Sequence, residues 1–267
     1  MRINEYKFNA QDEIVHIIKW IRGYFVDNGD SNTKAIIGIS GGKDSTIAAA
    51  LLVRALGSDR VIGVLMPNGE QKDIEDAKNV CKILNIQSKI VNIGDICKEC
   101  YAAYPGDNCG GLSKTVLTNT PARIRMTILY MVAAENHGRV CNTGNRSELY
   151  VGYTTKYGDL AGDFALLKNY TVSEVLKLGE ALTELPKELV FKTPTDGMSG
   201  LSDEDNLGFT YQQIDDLLLF GIVPEMKYFE KIKAAHKRNK HKDCIHLHAP
   251  LKLEWCDSWE FLRKYYD

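Results

Sequence analysis

The stretch Ala35-Ile36-Ile37-Gly38-Ile39-Ser40-Gly41-Gly42-Lys43-Asp44-Ser45-Thr46-Ile47-Ala48-Ala49-Ala50-Leu51-Leu52 decides the fold. Its first part, Ala35 to Ile39, is a short apolar run rich in β-branched side chains, the pattern of a buried strand. From Thr46 to Leu56 the chain is alanine- and leucine-rich, the pattern of a helix, and it stops at Gly57. Between them, Ser40-Gly41-Gly42-Lys43-Asp44-Ser45 reads as a glycine turn from strand to helix. Paired glycines accept positive φ and let the backbone approach a ligand closely. The N–H groups of the first helical turn point into the same space, where the helix dipole favours an anion. Ser40, Ser45 and Thr46 add hydroxyl donors. An aspartate beside a phosphate needs a divalent cation between them, so Asp44 points to Mg²⁺. A plain strand–loop–helix connection of small residues is the bland alternative, and the full hexapeptide speaks against it. It is not the Walker A pattern, because Lys43 lies between Gly42 and Asp44 rather than before a serine or threonine.

Outward from this loop, strands and helices alternate. Residues 11–26 place Ile14, Ile17, Ile18, Ile21 and Phe25 on one helical face, and Asp27-Asn28-Gly29-Asp30-Ser31 closes that helix. Residues 60–67 read as a second strand, 70–84 as a helix and 88–93 as a third strand. Residues 95–118 give a short helix and then a loop. Thr120-Pro121 reads as a helix start, threonine as cap and proline in the first position. That helix runs towards His137-Gly138, and on it Arg123 and Arg125 point different ways. Residues 139–144 are a fourth strand and turn, and Asn145-Arg146-Ser147-Glu148-Leu149 opens another helix. Thr143 and Glu148 thus sit at a second strand-to-helix edge. A glutamate there completes a Mg²⁺ site with Asp44, or simply favours the helix dipole. Residues 152–163 have no regular period, which fits a binding loop or a turn. A helix follows at 171–182. The polar run 191–208 suggests a lid or a solvated loop. Two further helices lie near 211–220 and 224–239. Alternating strands and helices imply right-handed crossovers and a parallel sheet, with ligands beyond the carboxyl ends of the strands.

The totals bound the classes. With 267 residues, 44% hydrophobic and 25% charged, the chain suits one large α/β domain with extensions. A formal charge of −2 gives no reason to expect a nucleic-acid surface. No apolar run reaches the roughly 18 residues of a membrane span. Met1 to Tyr6 lacks a signal-peptide core, so a cytoplasmic protein is expected. Seven scattered cysteines fit free thiols in a reducing compartment. Cys97-x-x-Cys100, with Cys109 beyond, admits a zinc or redox site, but no second close pair completes four ligands. The histidine-rich tail (His236, His241, His246, His248) matches no zinc module.

The Ser-Gly-Gly-x-Asp-Ser loop resembles the pyrophosphate loop of the N-type ATP pyrophosphatases, which adenylate a carboxyl or carbonyl oxygen. Several further stretches resemble the ammonia-dependent NAD synthetases over nearly the whole chain. They are Ala122-Arg123-Ile124-Arg125-Met126, Thr143-Gly144-Asn145-Arg146-Ser147-Glu148, and Thr155-Lys156-Tyr157-Gly158-Asp159 with Asp163. Pro194-Thr195, Asp203-Glu204-Asp205-Asn206-Leu207-Gly208 and His241-Lys242 complete the order. The resemblance implies a single domain over residues 1–267 of Rossmann-like, adenine nucleotide alpha hydrolase-like type, with helices on both faces of the sheet and a C-terminal helical extension. It implies ATP-dependent amidation of nicotinic acid adenine dinucleotide (deamido-NAD) by ammonia through an acyl-adenylate, giving NAD, AMP and pyrophosphate. Gly38, Ile39, Ser40, Gly41, Gly42, Lys43, Asp44 and Ser45 would hold the ATP phosphates, and Thr143 and Thr195 would contact ATP. Asp44 and Glu148 would bind Mg²⁺. Arg123, Lys156, Asp163, His241 and Lys242 would bind deamido-NAD, and Asp159 would orient or deprotonate ammonium. A homodimer is implied, with the Arg-x-Arg-Met helix and the N-terminal helix as candidate contacts.

The chain departs from that pattern in places. Leu160-Ala161 stands where many members have two glycines, and Val172 stands where the family has an ATP-contacting lysine, with Lys168 nearby. Close after Lys242 the tail lacks the family's usual basic residue and nearby proline. Only about 35 residues precede the first strand, too few for an amidase domain, so free ammonia or a separate amidase partner is the expected nitrogen source. Rival readings are another pyrophosphatase-type enzyme, such as a GMP synthetase domain or a tRNA-thiolating enzyme, and a nucleotide-binding module without catalysis. The last has no need of both Asp44 and Glu148.

Overall fold

The computed structural model describes residues 7–70, 74–104, 106, 111–192 and 202–242, and the backbone of 247–248. The chain begins with α1 (Ala10–Asp27), capped by Asn9, whose side chain accepts from the Gln11 and Asp12 amides. β1 (Lys34–Gly38) and α2 (Lys43–Leu56) follow, then β2 (Val61–Leu65), α3 (Ile74–Ile83) and β3 (Gln87–Ile90). Next come α4 (Gly94–Ala103), α5 (Lys114–Glu135), β4 (Gly138–Asn142) and α6 (Arg146–Val151). β5 (Phe164–Ala165), α7 (Val172–Ala181), α8 (Lys187–Val190), α9 (Asp203–Leu207), α10 (Tyr211–Phe220), α11 (Met226–Asn239) and β6 (Leu247–His248) complete the order.

The six strands form one parallel sheet in the order β3-β2-β1-β4-β5-β6. β1, β2 and β4 lie where the apolar runs place them, whereas β3, read over residues 88–93, spans Gln87–Ile90 and is largely exposed. β5 and β6, two residues each, are too short to leave a period in sequence. Alternation along β1 sorts its side chains between two cores. Ala35 and Ile37 pack with α1, α2 and α7, whereas Ile36 packs with Ala133 and Cys97 on α5 and α4. Burying each such aliphatic side chain contributes about 1.5–3 kcal/mol. The C-terminal helices carry a core of their own, in which Tyr150 and Val151 on α6 meet Tyr211, Ile214, Leu217, Phe229 and Ile232.

One helix start differs from its sequence reading. α5 begins at Lys114 under a Ser113 cap, and Pro121 lies inside it rather than at its first position. Pro121 has no N–H for the Leu117 carbonyl one turn back. The Tyr101 hydroxyl of α4 donates to that carbonyl at 3.2 Å, so the proline leaves no orphan acceptor. The strand order reverses between β1 and β4. The chain leaves these strands in opposite directions and opens a crevice at their carboxyl ends.

Candidate active site

On the β1 side of the crevice, the chain turns at Ser40 to Gly42 with Gly41 at φ +79°. The Ser40 amide donates to Ser45 Oγ at 3.3 Å, and the Gly42 amide to Ser40 Oγ at 3.2 Å. Ser45 Oγ and Thr46 Oγ1 donate to the Gly42 carbonyl at 3.1 and 2.8 Å. The Ser45 and Thr46 hydroxyls are thus spent on shaping the loop rather than offered to a ligand, and Thr46 is fully buried. Gly42 is the N-cap of α2 and has no side chain to cap it. The first-turn N–H groups therefore remain available to an anion.

Charge gathers at the same point. Lys43 is buried, and its Nζ lies 2.7 Å from Asp44 Oδ2. Asp44 Oδ1 accepts from Asn145 Nδ2 at 3.2 Å, a bond that spans the crevice to the β4 side. Asn145 caps α6 in a reciprocal box, in which its Oδ1 accepts from the Glu148 amide and Glu148 Oε2 accepts from the Asn145 backbone amide. One asparagine therefore fixes both expected metal carboxylates. Crowding by protein, then the charge of Asp44, push the Glu148 carboxyl well above the usual carboxylate range, while Lys43 opposes them. Burial alone would push the Lys43 ammonium down, but Asp44, Glu148 and Asp203 outweigh it and hold it above the ordinary lysine value.

Asp203, from α9, joins this cluster and was not among the expected site residues. Its carboxylate accepts from the Tyr211 hydroxyl at 3.3 Å, and burial pushes it up against the pull of Lys43. Its signal in sequence was its place in the Asp203 to Gly208 run, whose chemistry composition alone did not assign.

Among the described residues, no three His, Cys, Asp or Glu side chains stand close enough to hold a metal by themselves. Mg²⁺ commonly takes one or two carboxylates and completes its shell with phosphate oxygens and water. Asp44 and Glu148 crowd together beside one lysine, and their repulsion favours a further positive charge between them, so the pair fits a Mg²⁺ that arrives with a nucleotide and displaces the Glu148 proton. Cys97 is buried, Cys100 exposed, and both are free thiols.

The other wall is the loop after α6. The Asp159 carboxylate accepts from the Thr155 amide at 2.7 Å. Its carbonyl accepts from Asn142 Nδ2, also at 2.7 Å. Solvent reaches Asp159, yet protein crowds its carboxyl. That crowding pushes the group up, and the Thr155 amide, with a smaller pull from the charge of Lys242, opposes it. Lys156 Nζ donates to the His241 carbonyl at 2.7 Å, and Arg123 Nε donates to the Lys156 carbonyl at 3.2 Å. Lys242 Nζ donates to the carbonyls of Gly152 and Thr154 at 2.8 and 2.7 Å. Arg125 is bound to the Met66 carbonyl, as its different face on α5 requires.

A family model described as NAD synthase matches residues 13–248. The chain belongs to the NAD synthase family. The NH(3)-dependent NAD(+) synthetase of Pyrococcus furiosus is 37% identical over 213 residues, 79% of each chain. Among solved structures, an NMN synthetase from Francisella tularensis superposes with a TM-score of 0.81 at 31% identity, covering 92% of this chain and 100% of the other. An NH3-dependent NAD synthetase from Campylobacter jejuni gives 0.71 at 28% identity, covering 93% and 100%. The family's ammonia-dependent members are ATP-consuming ligases that amidate deamido-NAD to NAD with release of AMP and pyrophosphate, the last step of NAD biosynthesis.

Of the residues that family resemblance singled out, the structure brings Gly38 to Ser45 and Glu148 to one wall of the crevice, with Thr143 just past β4. It brings Arg123, Lys156, Asp159, His241 and Lys242 to the other. Asp163 stands apart from both. Its carboxylate accepts from the Tyr130 hydroxyl at 3.3 Å and the Val140 amide at 2.7 Å, which ties β5 to β4. Thr195 and Cys109 lie outside the described residues, as does residues 193–201 of the suggested lid. Val172 is buried against the C-terminal core, and its amide donates to Ser147 Oγ at 3.1 Å. No helix among the described residues is long and apolar enough to cross a membrane.

Proposed function

We infer that this chain amidates the nicotinate carboxylate of deamido-NAD with ammonia in the crevice between β1 and β4. The observation that carries this reading is the pair of unlike walls. One is an uncapped helix N-terminus with clustered Lys43, Asp44 and Glu148, and the other a loop bearing Lys156 and Asp159. On the first wall the α2 amides and Lys43 hold the phosphates of ATP, with Thr143 and Thr195 as further ATP contacts. Asp44 and Glu148 would hold Mg²⁺, which neutralises charge on the pyrophosphate leaving group when bound. A carboxylate oxygen of the substrate attacks the α-phosphorus, and the bond to the pyrophosphate oxygen breaks. In-line displacement of this kind needs positioning and charge neutralisation, and no covalent protein nucleophile.

On the second wall Arg123, Lys156, His241 and Lys242 form the dinucleotide-binding set, and Asp163, off that wall at the β4–β5 edge, belongs to the set through the family resemblance alone. Ammonia attacks the acyl carbon, AMP leaves with the bonding electrons, and Asp159 orients ammonium or takes its proton. The whole chain acts as one domain using free ammonia, in the cytoplasm. A homodimer is also part of this reading. The 22-residue α5 buries only Pro121 and Ala133, while Leu117 and Met131 stay 43% and 62% exposed, an apolar face suited to a second copy.

The likeness to an NMN synthetase favours one second reading, amidation of nicotinic acid mononucleotide at the same site. Mass spectrometry of products decides. The protein is incubated with ATP, Mg²⁺ and ammonium, with either deamido-NAD or nicotinic acid mononucleotide, and with glutamine replacing ammonium in parallel. NAD with AMP and pyrophosphate, from ammonium only, is the expected result. NMN formed in preference establishes the second reading. AMP without either amide sends the adenylating chemistry to another acceptor, and no ATP turnover overturns both.

A further inference from the structure

Helix α6 has two ends, and different parts of the chain hold them. At its N-terminus Asn145 and Glu148 cap each other. At its C-terminus the Gly152 and Tyr153 amides close the Leu149 and Glu148 carbonyls, and those of Tyr150 and Val151 need donors from elsewhere. The final turn of α11 supplies them in sequence. His236 Nδ1 lies 2.7 Å from the Tyr150 carbonyl, and a carbonyl only accepts, so the ring donates from that nitrogen. Asn239 Nδ2 donates to the Val151 carbonyl at 2.9 Å, and Lys242 Nζ to the carbonyls of Gly152 and Thr154. Residues 236, 239 and 242 recur at a spacing of three, one stripe along the helix and the turn after it.

The fit is close as well as polar. The His236 ring stacks on Tyr150 with centroids 4.4 Å apart and planes 24° from parallel. Gly152 terminates α6 at φ +67°, and a methyl group there would fall 2.1 Å from the Asn239 Cβ. Such a contact leaves room for glycine alone. The anchored backbone then runs straight into the second wall. Lys242 holds the Thr154 carbonyl, and the next amide, that of Thr155, donates to the Asp159 carboxylate.

We propose that Asn239 is a positioning residue for amide formation: with His236 it pins the C-terminal end of α6 and so sets the loop that presents Lys156 and Asp159. It touches neither substrate nor reacting atoms. This inference rests on the reading that this loop serves the amidation step. It also gives Lys242 an anchoring task beside the substrate contact proposed for it.

The test is steady-state kinetics on Asn239→Asp, which keeps shape and size but replaces the donating amide by an acceptor facing the Val151 carbonyl. The metal end of α6 has its own cap, so the two half-reactions should separate. The expected result is a KM for ammonium raised about tenfold, the order of the part-buried hydrogen bonds that Asn239 Nδ2 gives to the Val151 and Ala235 carbonyls, with the KM for ATP within about twofold of the parent. Equal rises in the KM values for ATP, deamido-NAD and ammonium that follow a fall in Tm would mark Asn239 as a merely structural residue and overturn the proposal, as would unchanged kinetics. If Asn239→Asp does not fold, His236→Phe keeps the stack on Tyr150 and removes the donor, and His236→Gln restores one. Selective loss in the first with rescue in the second supports the proposal, and equal behaviour overturns it. A parent protein that forms neither NAD nor NMN would instead sink the underlying reading, which separates the two failures.

Discussion

On the phosphate side the contacts that shape the glycine loop itself are local, since Ser40 reaches Ser45 and Gly42 reaches Ser40, five and two residues apart, and the bond from Asn145 to Asp44 across 101 residues is added to a loop already closed. On the acyl side they are distant, since Lys156 reaches His241 and Lys242 reaches Thr154 across 85 and 88 residues. A loop closed by its own neighbours forms as soon as its strand and helix do. A loop closed by a remote helix is set only when the C-terminal core has docked, because each such contact carries the entropy of a long closure. The two walls should therefore respond differently to change: damage to chemistry on the first, and to placement on the second.

The sharpest break comes from Asp44→Asn. It removes one of two carboxylates for Mg²⁺ and the partner of buried Lys43. Pyrophosphate release should fall by about 10²–10³-fold, the usual order for a lost electrostatic group at phosphoryl chemistry. A pyrophosphate-release assay with Mg²⁺ checks it. A variant retaining more than a tenth of parent turnover would remove Asp44 from the metal site.

Asp159→Asn tests the other wall. It keeps the side chain's size but abolishes its charge, so the adenylating step should persist while NAD formation falls about 10²-fold. Pyrophosphate exchange followed beside NAD yield separates the steps. Full amide formation at saturating ammonium would end the role given to Asp159.

This asymmetry also explains how far the sequence could be read. The first wall was legible because a strand, a glycine turn and a helix in succession carry their own geometry, and Asp44 and Glu148 fall at two such edges. The core strands were legible from apolar runs. Asp203 was not, because nothing local shows that α9 brings a carboxylate to Lys43. His236 read only as part of a histidine-rich tail and Asn239 as the end of a helix, since their partners are backbone carbonyls with no signature in sequence. Pro121 misled for a related reason. A proline inside a helix is tolerated here because Tyr101, on another helix, satisfies the carbonyl it leaves open.

The smallest effect tests whether the two walls share a common support. Behind both lies the first turn of α7, where the Ser173 amide donates to buried Asp215 on α10 at 2.7 Å and the Val172 amide to Ser147 on α6. Glu174 closes that turn, accepting from the Thr171 amide at 2.8 Å and the Thr171 hydroxyl at 2.9 Å. Burial pushes its carboxyl from 4.5 up to about 8, against the Thr171 amide that favours ionisation. An acid with a folded pKa above its unfolded value holds its proton more tightly when native. Its contribution to stability is thus full below pH 4.5 and is lost as pH rises towards 8. The slope for one such group is at most about 1.4 kcal/mol per pH unit. Glu174→Gln keeps the acceptor and cannot ionise, so its Tm should fall less than the parent's between pH 5 and 8. Thermal unfolding followed across that window measures the difference. If Glu174→Gln flattens the Tm curve and shifts the KM for ATP and for ammonium together, α7 supports both walls equally. If only the KM for ammonium moves, the support runs through Asp215 and the C-terminal core to the second wall alone, and the division between a locally built and a remotely built wall extends into the core.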